Sequence, residues 1–522
     1  MNTRKLTKEL GNILTHLIES EEVISKRVSR VHKDYRLSAK NFYRYLILRS
    51  YDLRKYHDAL SDLGISSLRT AEGYVLSNLY NVVRNLNLLN GANSNDIAVD
   101  ARLEFVGYKR SKKLLRKHAN ILFNEERKKH FTEIMVTLPD EAAEDKTIIR
   151  DMVMNGMEIA RINLSHGNVE LWEKMVAIIH QTQIETNEKL KIYMDLPGPK
   201  IRTSAIEIYE NNGKIKDSIP VQVGEHIHLT KRKTLGRKSE FGAAGEQLEK
   251  AEVGVLLPQI IDDAKMGDVI LFDDGMIMAE VTGKQADDIE IVITNCYKSK
   301  LSSHKGINLP HTKLSLPALT EDDIENLPFI CKHADIIGYS FVRTGEDVRK
   351  LYHELEKNHA SDIGVVFKIE NQEAFENLPD ILFEGMVRNK IGVMIARGDL
   401  AIEIGFERIS EVQNQILWLC EAAHIPVIWA TQVLENLAKT GIPTRAEISD
   451  AAQGAQAECV MLNKGPHINE AIRVLKDILI RMAGHSFKKK NELRALNVAK
   501  QYLGRTLTAG NHKTNDRKHR KY

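Results

Sequence analysis

The spacing of apolar residues along this 522-residue chain changes near residue 130. Before that point they recur at helical intervals, as Phe42, Tyr45, Leu46 and Leu53 do, which is the pattern of one apolar helix face. The spacing predicts an all-helical N-terminal domain over residues 1–125. Because this stretch carries no cluster of catalytic residue types, we expect it to serve in docking or oligomerisation.

From Thr132 onward, short apolar runs rich in β-formers alternate with helical stretches, which is typical of βαβ units around a buried parallel sheet. Eight such runs predict an α/β fold, a (β/α)8 TIM barrel, over residues 126–203 and 305–485. The predicted strands are Glu133–Leu138, Glu158–Asn163, Lys191–Leu196, Asp335–Phe341, Ile363–Ile369, Gly392–Ala396, Pro426–Ala430 and Cys459–Leu462.

Residues 204–304 interrupt this pattern after the third strand. Apolar and polar residues alternate in IPVQVGEHIHLT, and VILFDDGMIMAEVTG contains a hairpin-like turn, so the stretch predicts a small inserted β domain. An insertion after a barrel strand emerges at the C-terminal face, where barrel enzymes keep their active sites. We therefore expect a lid over the site.

Composition narrows the class of protein. With 43% hydrophobic and 28% charged residues and no run of ~20 apolar residues, the chain is expected to be soluble, without a membrane partner. The four cysteines stand far apart without a CxxC pair, which indicates neither a zinc site nor disulfides and fits the cytoplasm. Residues 486–522 form a strongly basic tail, which we interpret as solvated rather than nucleic-acid-binding.

Polar residues capable of chemistry follow the predicted strands at their C-terminal ends. Since these ends share one face of a barrel, the side chains are expected to converge there. Two carboxylates, Glu370 and Asp399, suit Mg2+ or Mn2+, unless Arg397 neutralises one of them. Lys368 and Arg161 would flank a transferring phosphoryl group, although a structural salt bridge is the alternative for Arg161.

Two further positions concern substrate binding and proton transfer. Gly398 and Asp399 are expected to open a short helix whose free N–H groups cradle an anion. The hydroxyl of Thr431 would relay a proton, the alternative being a buried hydroxyl bonded to backbone.

These residues lie within motifs that resemble the pyruvate kinase family in their order. The motifs are ARINLSHG, MDLPGPKIRT, KGINLP, FKIEN, MIARGDLAIEI, WATQVLENL and PTRAEISDAA, between about Phe131 and Leu475. The helical start resembles the extension of a divergent bacterial branch. The resemblance implies phosphoryl transfer from phosphoenolpyruvate to ADP, giving pyruvate and ATP, by a homo-oligomeric enzyme.

The resemblance also implies roles for single residues. It makes Lys368, Arg161 and Thr431 catalytic, with Gly398 and Asp399 binding substrate as well. Glu370 and Asp399 would hold the divalent metal. The family's monovalent-cation residues match Asn163, Ser165 and Asp195, and its nucleotide-phosphate residues match His166 and Arg202.

Several positions depart from the family pattern. Lys200 stands where the family usually has a glutamate, so its ammonium is expected to replace K+ at the monovalent site. Pro139, Pro197 and Lys464 depart on the ADP side. The barrel is followed by the basic tail rather than by a regulatory domain, so we expect no allostery of the usual kind.

Two other functions fit the same residues. A metal-dependent lyase or aldolase acting on 2-oxo acids needs the metal and the enolate chemistry but no nucleotide. The other function is that of a non-catalytic protein, in which the barrel senses phosphoenolpyruvate and the helical domain or the basic tail engages a partner. The retained Lys368 argues against it.

Overall fold

The computed structural model describes residues 2–92, 104–123, 132–209, 214–310, 312–483, 485–487 and 490–491. Every regular element described within residues 2–123 is a helix, as the apolar spacing predicts. The helices are α1 (Thr3–Glu19), α2 (Glu21–Arg27), α3 (Arg36–Arg49), α4 (Arg54–Asp62), α5 (Val75–Leu89) and α6 (Tyr108–Leu122). Most of the basic tail lies outside the described residues. No described helix has the length and apolar character needed to cross a bilayer.

Alternating strands and helices follow, and then a β-rich insertion. The first part contains β1 (Glu133–Thr137), α7 (Lys146–Asn155), β2 (Ile159–Asn163), α8 (Val169–Thr186) and β3 (Lys191–Asp195). The insertion contains β4 (Ile208–Tyr209), β5 (Ile215–Lys216), β6 (Ser218–Pro220), β7 (His226–Thr230), β8 (Glu240–Phe241), β9 (Gln247–Glu249), β10 (Ala251–Gly254), α9 (Gln259–Asp263), β11 (Val269–Phe272), β12 (Ile277–Lys284), β13 (Asp288–Cys296), β14 (Lys300–Ser302) and β15 (Ile307–Asn308). Six of these strands form one sheet in the order β10-β7-β13-β12-β11-β15, which packs around its own apolar core.

The alternation then resumes. Its elements are α10 (Glu321–His333), β16 (Ile336–Tyr339), α11 (Gly345–Lys357), β17 (Gly364–Ile369), α12 (Gln372–Glu376), α13 (Leu378–Gly385), β18 (Ile391–Ala396), α14 (Arg397–Ile404), α15 (Ile409–Ala423), β19 (Val427–Ala430), α16 (Glu435–Thr440), α17 (Arg445–Gly454), β20 (Cys459–Leu462) and α18 (Ile468–Met482). A short hairpin of β21 (Ser486–Phe487) and β22 (Lys490–Asn491) ends the described chain.

Eight parallel strands close into a barrel in the order β1-β2-β3-β16-β17-β18-β19-β20, with β20 pairing back to β1. Each strand agrees with its sequence prediction to within two residues at either end. The predicted (β/α)8 fold with a β insertion after the third strand is confirmed. Parallel strands place all their carboxyl ends on one face, so the polar residues that follow them share that face.

The opposite end of the barrel is closed by the helical region. Leu122, the last residue of α6, and Phe123 are buried among apolar side chains inside the barrel. A Cβ atom at Gly364 or Gly392, near the starts of β17 and β18, would lie only 2.7 Å from a methyl of Leu122. Glycine at these two positions therefore makes the space that Leu122 fills.

Buried hydrogen bonds also tie the helical region to the barrel. His424, which follows α15, has its Nε2 atom 2.9 Å from the Gly73 carbonyl and its Nδ1 atom 3.1 Å from the Ser38 hydroxyl. The Nδ1 atom of His118 lies 2.7 Å from the His424 carbonyl, and the Asn41 amide donates to the Ala422 carbonyl at 2.8 Å. Because buried polar groups are costly to leave without partners, these contacts fix one docking position.

Candidate active site

Three charged side chains meet where β2, β3 and β17 end. The Nη2 atom of Arg161 lies 2.5 Å from Asp195 Oδ2, and Lys368 Nζ lies 3.1 Å from the same oxygen. All three residues are at most 9% exposed. Charges are this deeply buried only when they are paired and hydrogen-bonded, so the two cations depend on one shared carboxylate.

The charge states follow from this sharing. Burial opposes ionisation of Asp195, but Lys368 and Arg161 outweigh it and hold the pKa of this carboxyl below its usual value. Burial opposes the charged form of Lys368 too, yet Asp195 and Glu370 outweigh it and raise the pKa of this ammonium. The site therefore holds two fixed positive charges beside a carboxylate that stays ionised.

The two predicted metal ligands lie beside this cluster. The Oε1 atom of Glu370 is 3.1 Å from Lys368 Nζ, and its Oε2 atom accepts a hydrogen bond from the Phe341 backbone at 2.7 Å. Burial raises the pKa of Glu370, Lys368 opposes this effect, and the negative charge of Asp399 adds to it. Since a cation placed between two repelling carboxylates relieves their repulsion, this donor pair fits a hard divalent ion.

The described residues offer such an ion no more than a pair of carboxylates. Among the residues that the structure describes, no group of three or more acidic, His or Cys side chains could hold a metal. The protein would supply Glu370 and Asp399, and the other positions would go to water and substrate oxygens, as Mg2+ prefers. The ammonium of Lys200 donates to Asp399 Oδ1 at 2.9 Å, so metal binding there has to displace this contact.

Thr431, the predicted proton relay, follows β19 in the left-handed region, at a φ of 66°. Its hydroxyl is buried, and no hydrogen-bond partner for it exists among the described residues. A Cβ atom on Gly398 would lie 3.8 Å from the Thr431 methyl, which makes the two residues neighbours. Arg397 pairs with Asp450, so the alternative in which it neutralises a metal-binding carboxylate is wrong.

A cavity of about 240 Å³ opens beside Arg161. Asn163 and His166, both named from sequence, line it together with Lys439 and Lys464. The lining also includes two carboxylates, Asp140 at 3.5 Å from Lys464 and Glu435 at 2.5 Å from Lys439. An anionic ligand would therefore meet Arg161 and His166 beside the buried cluster.

Not every predicted residue joins this arrangement. Arg202 donates to the His304 carbonyl at 3.0 Å and lines neither cavity described at the barrel mouth. Ser165 is exposed, and its backbone N–H donates to Asn163 Oδ1 at 3.2 Å. The described contacts of Lys200 are with Asp399 rather than with the predicted monovalent-cation residues.

Two partners of the cluster were missed. Thr137 accepts from Arg161 Nη1 at 2.7 Å, and Ser340 accepts from Lys368 Nζ at 2.6 Å. Both stand at the ends of predicted strands, the first and the fourth, so the rule that identified the other residues would have found them.

Glu403 was missed as well. It lines a cavity of about 70 Å³ with Lys200, Glu370 and Asp399, and it accepts from the Asn308 amide at 3.0 Å. Burial raises the pKa of this carboxyl to about 7. The available signal was its position four residues after Asp399, one turn further along the same helix.

Comparison with known proteins gives a consistent result. A family model described as pyruvate kinase, barrel domain, matches residues 129–467. Pyruvate kinases of Sporosarcina psychrophila and Geobacillus stearothermophilus are 35% and 33% identical over 62% and 68% of this chain, and these matches span 50% and 57% of the two relatives. The crystal structure of a pyruvate kinase from Cryptosporidium parvum has a TM-score of 0.59 at 26% identity, covering 70% of each chain.

The chain thus spans little more than half the length of these two bacterial relatives. The matched part contains the whole closed barrel and the insertion. By its barrel and its motifs, the chain belongs to the pyruvate kinase family.

Proposed function

We propose that this protein transfers the phosphoryl group of phosphoenolpyruvate to ADP. The bond between phosphorus and the enol oxygen breaks, and a bond forms from phosphorus to a terminal phosphate oxygen of ADP. The released enolate takes up a proton at C3, which gives pyruvate and ATP. The arrangement of Arg161 and Lys368 around Asp195, beside Glu370, is the observation that carries this proposal.

The buried cations suit this reaction because its transition state spreads negative charge over the phosphoryl oxygens. Preorganised charges in a site that excludes water stabilise such charge without reorganisation. Arg161 also reaches the cavity that contains His166 and Lys464, so that cavity is the proposed ADP site. Thr431, which neighbours Gly398, would then act as the proton relay.

Mg2+ or Mn2+, when bound by Glu370 and Asp399, would supply positive charge to the phosphoryl oxygens. We propose that K+ is not required. In this form of the proposal the ammonium of Lys200, which donates to Asp399 until the divalent metal displaces it, supplies the positive charge that the family obtains from a monovalent ion. Turnover of the wild type should then be equal in K+ and in K+-free buffer, whereas K+ activation of the wild type would reject this role.

The remaining assignments also rest on the family relationship. We propose a cytoplasmic homo-oligomer with a helical domain at 1–125, a catalytic barrel at 126–203 and 305–485, a β lid at 204–304 and a tail at 486–522. Size-exclusion chromatography with light scattering tests the oligomeric state.

A coupled assay of the purified protein with phosphoenolpyruvate, ADP and Mg2+ tests the function. We expect pyruvate and ATP in equal amounts, and neither product when ADP is omitted. A phosphatase would consume phosphoenolpyruvate without ADP, whereas a lyase or aldolase would leave it intact and cleave a 2-oxo acid with the metal alone. A binding protein would consume nothing, although calorimetry would detect the ligand.

A further inference from the structure

Thr431 holds an unfavourable backbone conformation at the end of β19. A left-handed φ is rare for β-branched residues, yet Thr431 adopts one, and Gln432 and Leu434 follow with positive φ as well. Such conformations persist only where the surroundings impose them. The buried hydroxyl of Thr431 offers no explanation, because it has no hydrogen-bond partner among the described residues.

The guanidinium of Arg397 contacts the peptide units on both sides of Thr431. Its Nε atom donates to the Ala430 carbonyl at 2.9 Å, and its Nη2 atom donates to the Thr431 carbonyl at 2.6 Å. The first carbonyl belongs to the peptide plane that sets φ of Thr431, and the second belongs to the plane that sets ψ. One rigid group therefore fixes both backbone angles of this residue.

Arg397 is itself held from two further directions. Both of its Nη atoms donate to the carboxylate of Asp450 on α17, Nη2 at 2.9 Å. Its Cζ atom lies 4.4 Å from the ring centre of Trp429, which is fully buried. A planar guanidinium can make these contacts together, whereas a lysine ammonium cannot.

We propose that Arg397 and Asp450 are positioning residues for proton transfer, and that they act by holding the Thr431 hydroxyl toward the enolate. This inference rests on the proposed function, because it concerns the same site. Neither residue touches substrate in this role. The pair ties the start of α14 to α17 across the end of β19, so its loss frees the Thr431 backbone and leaves the Arg161–Lys368 cluster intact.

The test compares Asp450→Asn and Arg397→Lys with a matched control, Asp477→Asn, which breaks the exposed ion pair with Arg481 on α18. Two rates are measured: kcat with phosphoenolpyruvate and ADP, and exchange of the C3 protons of pyruvate in deuterated water with Mg2+ and inorganic phosphate. Because small misplacements of a reacting group cost up to ~100-fold, both rates should fall about 10- to 100-fold. KM for phosphoenolpyruvate and the melting temperature should change little, and the control should match the wild type.

Combining variants separates positioning from general damage. If the pair acts through Thr431, Asp450→Asn adds no further loss to Thr431→Ala. The inference would be overturned if the losses of Asp450→Asn and Thr431→Ala multiplied in the double variant, or if exchange of the C3 protons were unchanged. A fall in kcat that only matched the fraction of unfolded protein would also overturn it. A wild type that exchanges C3 protons but makes no ATP would reject ADP as acceptor and leave the positioning test intact. A wild type that does neither would reject both proposals.

Discussion

The two ends of the barrel differ in what their side chains do. At the carboxyl ends of the strands, buried charges, a strained threonine and repelling carboxylates lie together. At the amino ends, Leu122 and Phe123 fill the interior with apolar atoms. Strand β17 takes part in both ends. Gly364 at its start leaves space for Leu122, whereas Lys368, four residues later, belongs to the charged cluster.

This contrast shows how one set of strands separates stability from chemistry. Buried charges and strained backbone contribute little to folding, and they persist because the rest of the structure holds them. The apolar end supplies part of that support. Changes at one end should therefore alter activity, and changes at the other end should alter stability.

The largest expected effect comes from Lys368→Met at the charged end. Removing a positioned cation from the transition state should lower kcat about 1,000-fold, while the melting temperature stays near that of the wild type. The matched control is Lys191→Met, at the start of β3, where the ammonium pairs with Asp335 at 3.0 Å. If kcat fell equally in both variants, or if Lys368→Met turned over normally, chemistry would not be confined to the charged end.

Leu122→Ala tests the opposite end. It removes methyl groups that pack between Gly364 and Gly392, and such cavities cost roughly 2–5 kcal/mol of unfolding free energy. Denaturant unfolding should show this loss, and kcat per folded molecule should be retained. Leu89→Ala, at a side chain that is 59% exposed, is the control. If kcat fell while stability did not, the two ends would be coupled rather than separate.

The metal ligands give a smaller and more local effect. Glu370→Gln and Asp399→Asn should each weaken Mn2+ binding about 10- to 100-fold, which corresponds to ~1.4–2.8 kcal/mol, because each removes one of the two carboxylates that would hold the ion. Titration calorimetry measures the affinity. Asp335→Asn removes a carboxylate at the opposite end of the barrel and should leave the Mn2+ affinity unchanged. Unaltered affinity in both site variants would remove these residues from the metal site.

The smallest effect concerns Glu403 and pH. Its carboxyl keeps a proton in the folded state up to a pKa of about 7, against an ordinary value of 4.5, so folding takes up a proton between these values. The contribution of Glu403 to stability therefore falls as pH rises through this range. In metal-free buffer, the Tm of Glu403→Gln should gain a few degrees on the wild type between pH 4.5 and 7. Glu407→Gln, at an exposed side chain, should show no such gain in Tm. If the Tm difference between Glu403→Gln and the wild type stayed constant with pH, the raised pKa of Glu403 would be rejected.

The sequence predicted the strands well because a buried parallel strand needs a continuous apolar run, as in GVVFKI of β17. The position of strand ends also indicated that Arg161, Lys368 and Glu370 lie close together, whereas Arg202 and Ser165, named by the same rule, make their described contacts elsewhere. Thr137 and Ser340 were accessible by the same rule and were overlooked.

Other features depend on contacts between distant segments. Nothing in the spacing of α6 indicates that Leu122 enters the barrel, because the space is made by glycines more than 200 residues away in the chain. The pairing of Lys200 with Asp399, and of Arg397 with Asp450, depends on rotamers that local sequence does not set.

The charged end of the barrel is proposed to move a phosphoryl group from phosphoenolpyruvate to ADP. Phosphorus NMR of the wild-type protein with both substrates and Mg2+ tests it most directly, because each phosphorus atom is followed separately. We predict that the phosphoenolpyruvate signal is replaced in equal amount by the γ-phosphate signal of ATP, and that Lys368→Met stops this conversion. Loss of the phosphoenolpyruvate signal to inorganic phosphate, or no change over many equivalents of substrate, would contradict it.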